Sequence, residues 1–328
     1  MIDPRAWLIW LTAIAAIVLT TRNPLYLTVL LAVVLAIRAN FPPGPFQLPL
    51  GRFALVIFPF SMIFNALSIH VGETVLFRLP PSPLIGGIIT LEAAVFGLIN
   101  GLLLLTLLAL FLTFNQVVAA GDLIRLTPRA LYDLGLVALI AITYVPETMQ
   151  QLQRIREAQA IRGHRLRGWR DWRPVAIPLL VGGLERAMNL AEAMVARGYG
   201  ATTDERQPLW VRFGLAIGLA AGLGGWLLTF WWAWLGWSLL LLGLAMMGFI
   251  LWRQGQRVQV TRYRTHRWTS RETVVVITAV FPLLLIFIPW PFLPADLLFY
   301  TTYPAITPPP FNPWVGLSLA LFAIPALV

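Results

Sequence analysis

The sequence has no cysteine, no lysine and few charges of any kind. Charged residues fill 12% of its 328 positions, about half the share usual in a soluble domain. Without cysteine there is no disulfide, no thiolate zinc site and no cysteine nucleophile. Without lysine a nucleotide-binding P-loop has no cation for the phosphates, so this chain is no ordinary ATPase by itself. A lysine Schiff base is excluded for the same reason. The three histidines, His70, His164 and His266, stand far apart with no second ligand nearby. That spacing argues against a resident metal, and no motif calls for a cofactor.

What is abundant is apolar: 59% of the chain. The runs are helix-length and do not alternate, and in lipid only helices or closed barrels satisfy their own backbone. The expected fold is therefore all-α, a polytopic helical membrane protein with amphipathic helices on the cytoplasmic side. The net charge of +10 is carried by arginine alone. In so apolar a chain this reads as the positive-inside bias of a membrane protein in a lipid bilayer, not as nucleic-acid contact.

Membrane helices are expected at Ala6 to Leu19, Leu25 to Ile37 and Phe53 to Ile69, and within the apolar stretch from Leu84 to Phe114. The opening Met1-Ile2-Asp3-Pro4-Arg5 lacks the basic start and small-residue cleavage site of a signal peptide. Phe41 to Pro45 cannot be helical, and Arg78 to Pro83 is expected to turn. Thr90 and Glu92 suit a helix N-terminus, and Glu92 is also a candidate intramembrane functional acid. Asp122 to Asp133 reads as interfacial. A shorter helix from Leu134 is expected to end at Pro146.

From Glu147 to Arg212 arginines outnumber acids, and Pro174, Pro178 and Gly182-Gly183 are expected to divide the stretch into two or three helices. Phe213 to Trp252 is forty residues without a formal charge, twice the roughly 20 that cross a bilayer. It reads as two spans turning near Trp232 to Gly236. An arginine-rich loop (Arg253, Arg257, Arg262, Arg264, Arg267, Arg271) follows, then a span from Thr273 to Ile288. An arginine-free, proline-rich loop leads to a last span from Trp314. The total is about nine crossings. The organisation is thus N-terminal membrane helices over 1–146, cytoplasmic helices over 147–208 and further membrane helices over 209–328.

The polar middle holds a repeat. Glu157-Ala158-Gln159-Ala160-Ile161-Arg162-Gly163 recurs in pattern as Glu192-Ala193-Met194-Val195-Ala196-Arg197-Gly198. At 100° per residue Arg162 shares a face with Ile155, Ala158 and Gln159, and Arg197 shares one with Leu190, Ala193 and Met194. Each arginine thus has an alanine four positions back, small enough to let a partner surface approach. Glu157 and Glu192 lie five positions before the arginines, about 140° round the helix, and form no i,i+4 pair with them. Gly163 and Gly198 stand where helices commonly close on a left-handed residue. One such end would be ordinary punctuation; two with matching faces point to a pair of fittings. Arg165, Arg167, Trp169, Arg170, Trp172 and Arg173 between them read as a membrane-interface segment, and Trp226 to Trp237 as an interface belt.

Paired Ala-Arg-Gly ends, the first preceded by Ala158-Gln159, resemble the transmembrane T component of energy-coupling factor (ECF) transporters, ABC-type importers of vitamins and metal ions. Ala196-Arg197-Gly198 is intact; the first copy has Ile161 where the family usually has alanine. Asp3-Pro4-Arg5, Asp122-Leu123 and Tyr144-Val145-Pro146-Glu147 agree with it more weakly, and the match runs from about Met1 to Gly200. The resemblance implies a non-enzymatic subunit of a bacterial or archaeal cell membrane. It implies coupling helices that dock on two cytoplasmic ABC ATPase subunits through Arg162, Gly163, Ala196, Arg197 and Gly198. A separate small substrate-binding membrane subunit would then be the other partner. About one membrane helix usually follows the second motif in that family, whereas some 130 residues follow here. Two other readings remain open on the residues: a lipid-linked transferase holding a diphosphate on its arginines, with Glu92, Asp122 and Asp133 as scattered acids, and a stand-alone secondary transporter, for which Asn65 and Asn100 are the polar intramembrane candidates.

Overall fold

Helix caps are placed where the sequence supplies them. In the computed structural model, which describes residues 2–42, 48–79, 87–163, 168–199, 209–257, 268–288 and 298–327, Asp3 accepts from Arg5 N to open α1 (Pro4–Thr20). Asn23 accepts from Leu25 N to open α2 (Pro24–Asn40). Both helices carry proline in the first turn, where its missing N–H costs nothing. After α3 (Leu50–Ser68) comes a feature outside the all-helical expectation. Val75–Leu79 (β1) and Gly87–Thr90 (β2) pair antiparallel, Leu79 opposite Gly87. The Arg78 to Pro83 turn belongs to this hairpin as far as Leu79, and residues 80–86 lie outside the described ones. Strands this short are hidden in the sequence by the apolar run that leads into α4 (Leu91–Val117).

The remaining helices are α5 (Ala120–Ile124), α6 (Tyr132–Ile161), α7 (Arg173–Ala196), α8 (Leu209–Leu228), α9 (Ala233–Arg257), α10 (Ser270–Phe287) and α11 (Pro313–Ala320), with a 3₁₀ extension over Leu321–Ala326. Among the described residues six helices are long and apolar enough to cross a membrane, and α1, α2 and the Pro313–Ala326 segment are shorter apolar helices. The chain is a polytopic helical membrane protein. Two expected breaks are absent. The helix from Tyr132 runs through Pro146 instead of ending there, and α7 runs through Pro178 and Gly182-Gly183. A proline removes one backbone bond from a helix, and in a long helix with several turns on either side that loss is local. Gly182 has a packing role instead: a side chain there would strike the amide of Gln151 on α6.

The chain divides into two compact units, Met1–Leu123 with Arg264–Val328, and Ile124–Tyr263. The first unit is built on a continuous apolar core drawn from α1, α2, α4, α10 and α11. Trp10, fully buried, donates its indole N–H to Phe322 O at 3.1 Å. Asn23 donates to Pro310 O at 2.6 Å, and Asn312 N donates to the Tyr26 hydroxyl at 2.9 Å. Glu272 closes a capping box with Thr269 at the start of α10 and also accepts from Asp3 N at 3.0 Å. A carboxylate only 1% exposed is stable there because its acceptors face backbone donors. Close to it in kind, α3 meets α4 where Ser61 donates to Gly97 O at 2.7 Å.

In the second unit α8 and α9 form the expected hairpin, turning over 229–232. Their contact is lined by glycine: a Cβ on Gly243 would lie 2.6 Å from Gly222 N and 2.7 Å from Gly218 O. Close backbone approach through small residues is how helices associate where no hydrophobic drive exists between them. The tryptophans at the turn, Trp226, Trp231, Trp232, Trp234 and Trp237, are all exposed. Gly243→Ala should therefore destabilise the protein by about 1–3 kcal/mol, whereas Gly248→Ala, with nothing near its Cβ, should be neutral or stabilising; thermal unfolding in detergent compares them. Glu272→Ala removes the capping box and the anchor of Asp3, and should cost about 1–3 kcal/mol in the same measurement.

Candidate functional site

The two repeated stretches end two helices in the same way. Arg162 caps α6 with φ −77° and ψ 6°, and Arg197 caps α7 with φ −87° and ψ 5°. Gly163 and Gly198 follow at φ +80° and +82°, the left-handed region in which an L side chain is strained. Gly163 N donates to Ala160 O at 3.0 Å and Gly198 N to Val195 O at 2.9 Å, closing otherwise orphaned carbonyls. Apart from their chain neighbours, no atom of the described residues lies within 4 Å of where a Cβ on either glycine would sit. Conformation alone, and not space, calls for glycine here.

The faces match as periodicity requires. Ile155 and Leu190 are half-buried, Ala158 and Ala193 exposed, Gln159 and Met194 half-buried, and Arg162 and Arg197 exposed. Ala196 and Gly198 are exposed as well, and Ile161, the residue at which the first copy departs, is 88% exposed. Among the described residues neither guanidinium has a hydrogen-bond or ion-pair partner. Glu157 instead accepts from Gln153 at 3.1 Å, one turn back on its own helix. The arginines are left unpaired by the local glutamates, as the 140° offset requires.

The structure adds what periodicity could not show: how the two helices are held. Arg186 on α7 pairs with Glu147 on α6 at 3.3 Å, and one turn further along each helix Gly182 receives Gln151. As α6 is followed forward its partners on α7 run backward, so the helices lie antiparallel. From the Glu147–Arg186 contact, 1.5 Å per residue puts Arg162 about 22 Å away in one direction and Arg197 about 16 Å away in the other. The two ends point apart. A third contact lies near the second end, where the Tyr199 hydroxyl donates to Asp133 Oδ1 at 3.0 Å. Partial desolvation and then this bond to the carboxylate raise the Tyr199 pKa above the ordinary tyrosine value. The hydroxyl therefore stays protonated through neutral pH and donates to the carboxylate there. These pairings were not legible in advance, because opposite charges 39 positions apart carry no signal until the hairpin register is known.

Of the residues read as an interface segment, Arg165 and Arg167 lie outside the described residues, and Trp169 and Arg170 sit in a 3₁₀ turn. Trp172 and Arg173 are exposed. Two of the scattered acids have local partners. Glu92 takes its helix-start role, accepting from Thr74 N at 3.0 Å within the first unit, while Asp133 is bonded to Tyr199 in the second. Among the described residues no group of three His, Cys, Asp or Glu could hold a metal. Asn65 spends its amide on Ser61 O of its own helix, at 2.8 Å.

Because open space surrounds both glycines, Gly163→Asn and Gly198→Asn should be tolerated better than alanine, and alanine better than valine. The valine variants should lose about 1–2 kcal/mol of local stability, read as faster amide hydrogen exchange over the last turn of α6 or α7.

Comparison with known proteins follows this geometry. Energy-coupling factor transporter transmembrane protein EcfT of Bacillus selenitireducens is 28% identical over 235 residues, covering 64% of this chain and 83% of that protein. The protein of the same name from Brevibacillus brevis is 34% identical over 117 residues, covering 34% and 44%. That from Thermanaerovibrio acidaminovorans is 27% identical over 243 residues, covering 67% and 81%. The family model described as cobalt transport protein, CbiQ, matches residues 1–210, a stretch that contains both arginine ends and the α6–α7 pair that carries them. With that match extending over well more than half of its length, the chain belongs to the CbiQ family of transport proteins.

Proposed function

We propose that this chain is the transmembrane coupling subunit of an ECF-type importer, with the part of α6 beyond Pro146 and α7 as its cytoplasmic coupling helices. The observation that carries the reading is the pair of geometrically equivalent arginine ends, without partners among the described residues, facing opposite ways from one helix pair. Two separated and alike fittings suit two copies, or two homologues, of one partner. ABC ATPases work in pairs, and a chain with no lysine for a P-loop depends on other subunits for ATP hydrolysis. The similarity to energy-coupling factor transporter transmembrane proteins supports the same reading.

Each guanidinium offers five donors in a planar fork, which suits a carboxylate or a carbonyl-lined groove better than an ammonium would. The exposed alanine four positions back leaves room for the wall of that groove. Ile161 adds an exposed apolar side chain at the first end that such a wall would cover. In this arrangement the ATPases close and separate, the two helix ends follow them, and the motion passes through the α6–α7 crossing to the membrane helices. A separate small membrane subunit recognises the substrate. The chain itself performs no catalysis and holds no cofactor, and the membrane is the bacterial or archaeal cell membrane.

Arg162→Ala and Arg197→Ala should each lower ATP-driven uptake by about tenfold or more, the size expected when a charge-assisted hydrogen bond is lost. The double variant should abolish uptake and the retention of ATPase subunits during purification, while thermal stability stays near wild type. Normal uptake and normal retention in the double variant would refute the proposal.

A further inference from the structure

The second arginine end is held at two points and not one. On its near side is the last turn of α7. On its far side is Tyr199, two residues past Arg197, which turns back on the helix and donates its N–H to Met194 O at 3.0 Å. Its hydroxyl then reaches Asp133 in the first turn of α6 at 3.0 Å, across 66 positions of sequence. Arg197 and Gly198 are the short link between these points. Their backbone is already set by the C-cap and by the left-handed glycine, so the root of the guanidinium has little freedom left.

The contact also continues a pattern. Asp133–Tyr199, Glu147–Arg186 and Gln151–Gly182 fall along the same antiparallel register. An isolated surface hydrogen bond between a tyrosine and a carboxylate would contribute little by itself. This one joins the exit of α7 to the entrance of α6, and so it fixes the direction in which one helix end leaves the pair.

We infer that Tyr199 and Asp133 are positioning residues: a latch that sets the orientation of the Arg197 end against α6, so that displacement of that end is carried into the helix that bears Arg162. The role assigned to Arg197 rests on the docking function proposed above; the latch itself does not.

The test uses the full chain. Because it contains no cysteine, Arg156→Cys with Val195→Cys gives a doubly spin-labelled protein with both labels on exposed positions outside the docking residues. Pulsed electron paramagnetic resonance then reads the distance between α6 and the end of α7. Tyr199→Phe and Asp133→Ala should broaden or shift that distance distribution, and in the assembled transporter should lower uptake about fivefold, the equivalent of one ordinary hydrogen bond. Asp133→Asn keeps an acceptor oxygen at the same place and should match wild type in both readouts, a rescue that a general loss of fold would not show. An unchanged distribution in Tyr199→Phe, or an Asp133→Asn variant as impaired as Asp133→Ala, would overturn the latch. The distances are read on the isolated chain, so normal uptake in the Arg162/Arg197 double variant would remove the docking function alone.

Discussion

The contact between Glu147 and Arg186, with Gln151 seated against Gly182 beside it, holds α6 and α7 in one antiparallel register. Both arginine ends take their place from it. The ion pair by itself is an uncertain anchor. Glu147 is half-exposed, at 53%, where water weakens the attraction. Arg186 meanwhile has Nε and Nη2 buried without a hydrogen bond, which costs desolvation. What the pair lacks in strength it supplies in direction, because it admits one register. The close approach at Gly182 then fills the contact, because a side chain there would strike the Gln151 amide.

How much of this was legible from sequence depends on the range of the interaction. The two helix ends were legible in full: a helical period, an alanine four back, and a glycine after the arginine are local features. The structure returns the faces and the positive φ angles that those features require. Pro146 and Gly182-Gly183 misled for the same reason that makes them useful signals elsewhere. Each is a local helix breaker, and each sits where its surroundings outweigh the local preference: long helical flanks in one case, a facing glutamine in the other. The strands Val75–Leu79 and Gly87–Thr90 were lost in an apolar run whose composition fits helix and strand alike. Glu147 with Arg186 and Asp133 with Tyr199 could not be read at all, since pairing across a hairpin has no signature in either partner alone.

The long stretch after the second arginine end turns out to serve two structures. Helices α8 and α9 belong to the unit that carries the arginine ends, and α9 reaches the 3₁₀ turn Arg129–Leu131 before α6, where a Cβ on Gly255 would lie 3.4 Å from Arg129 Cβ and 3.5 Å from Ala130 N. Helices α10 and α11 belong to the other unit and complete its core around Trp10, Tyr26 and Leu30. The family match ends at residue 210, in the first turn of α8 and before the core-completing helices. What looks in sequence like one appended membrane block is therefore divided between a local support for the root of α6 and an integral part of the N-terminal bundle.

That division sets a timetable for biosynthesis. Asp3 N has no acceptor on Glu272, and Trp10 none on Phe322, until the ribosome has passed those residues. At bacterial-scale elongation of roughly 5–20 residues per second, about 15–60 seconds separate the first helix from its last packing partner. Early in that interval α4 is made and covers part of the core side of α1 and α2, but the part filled by α10 and α11 waits for its end, while α6–α9 are made in between.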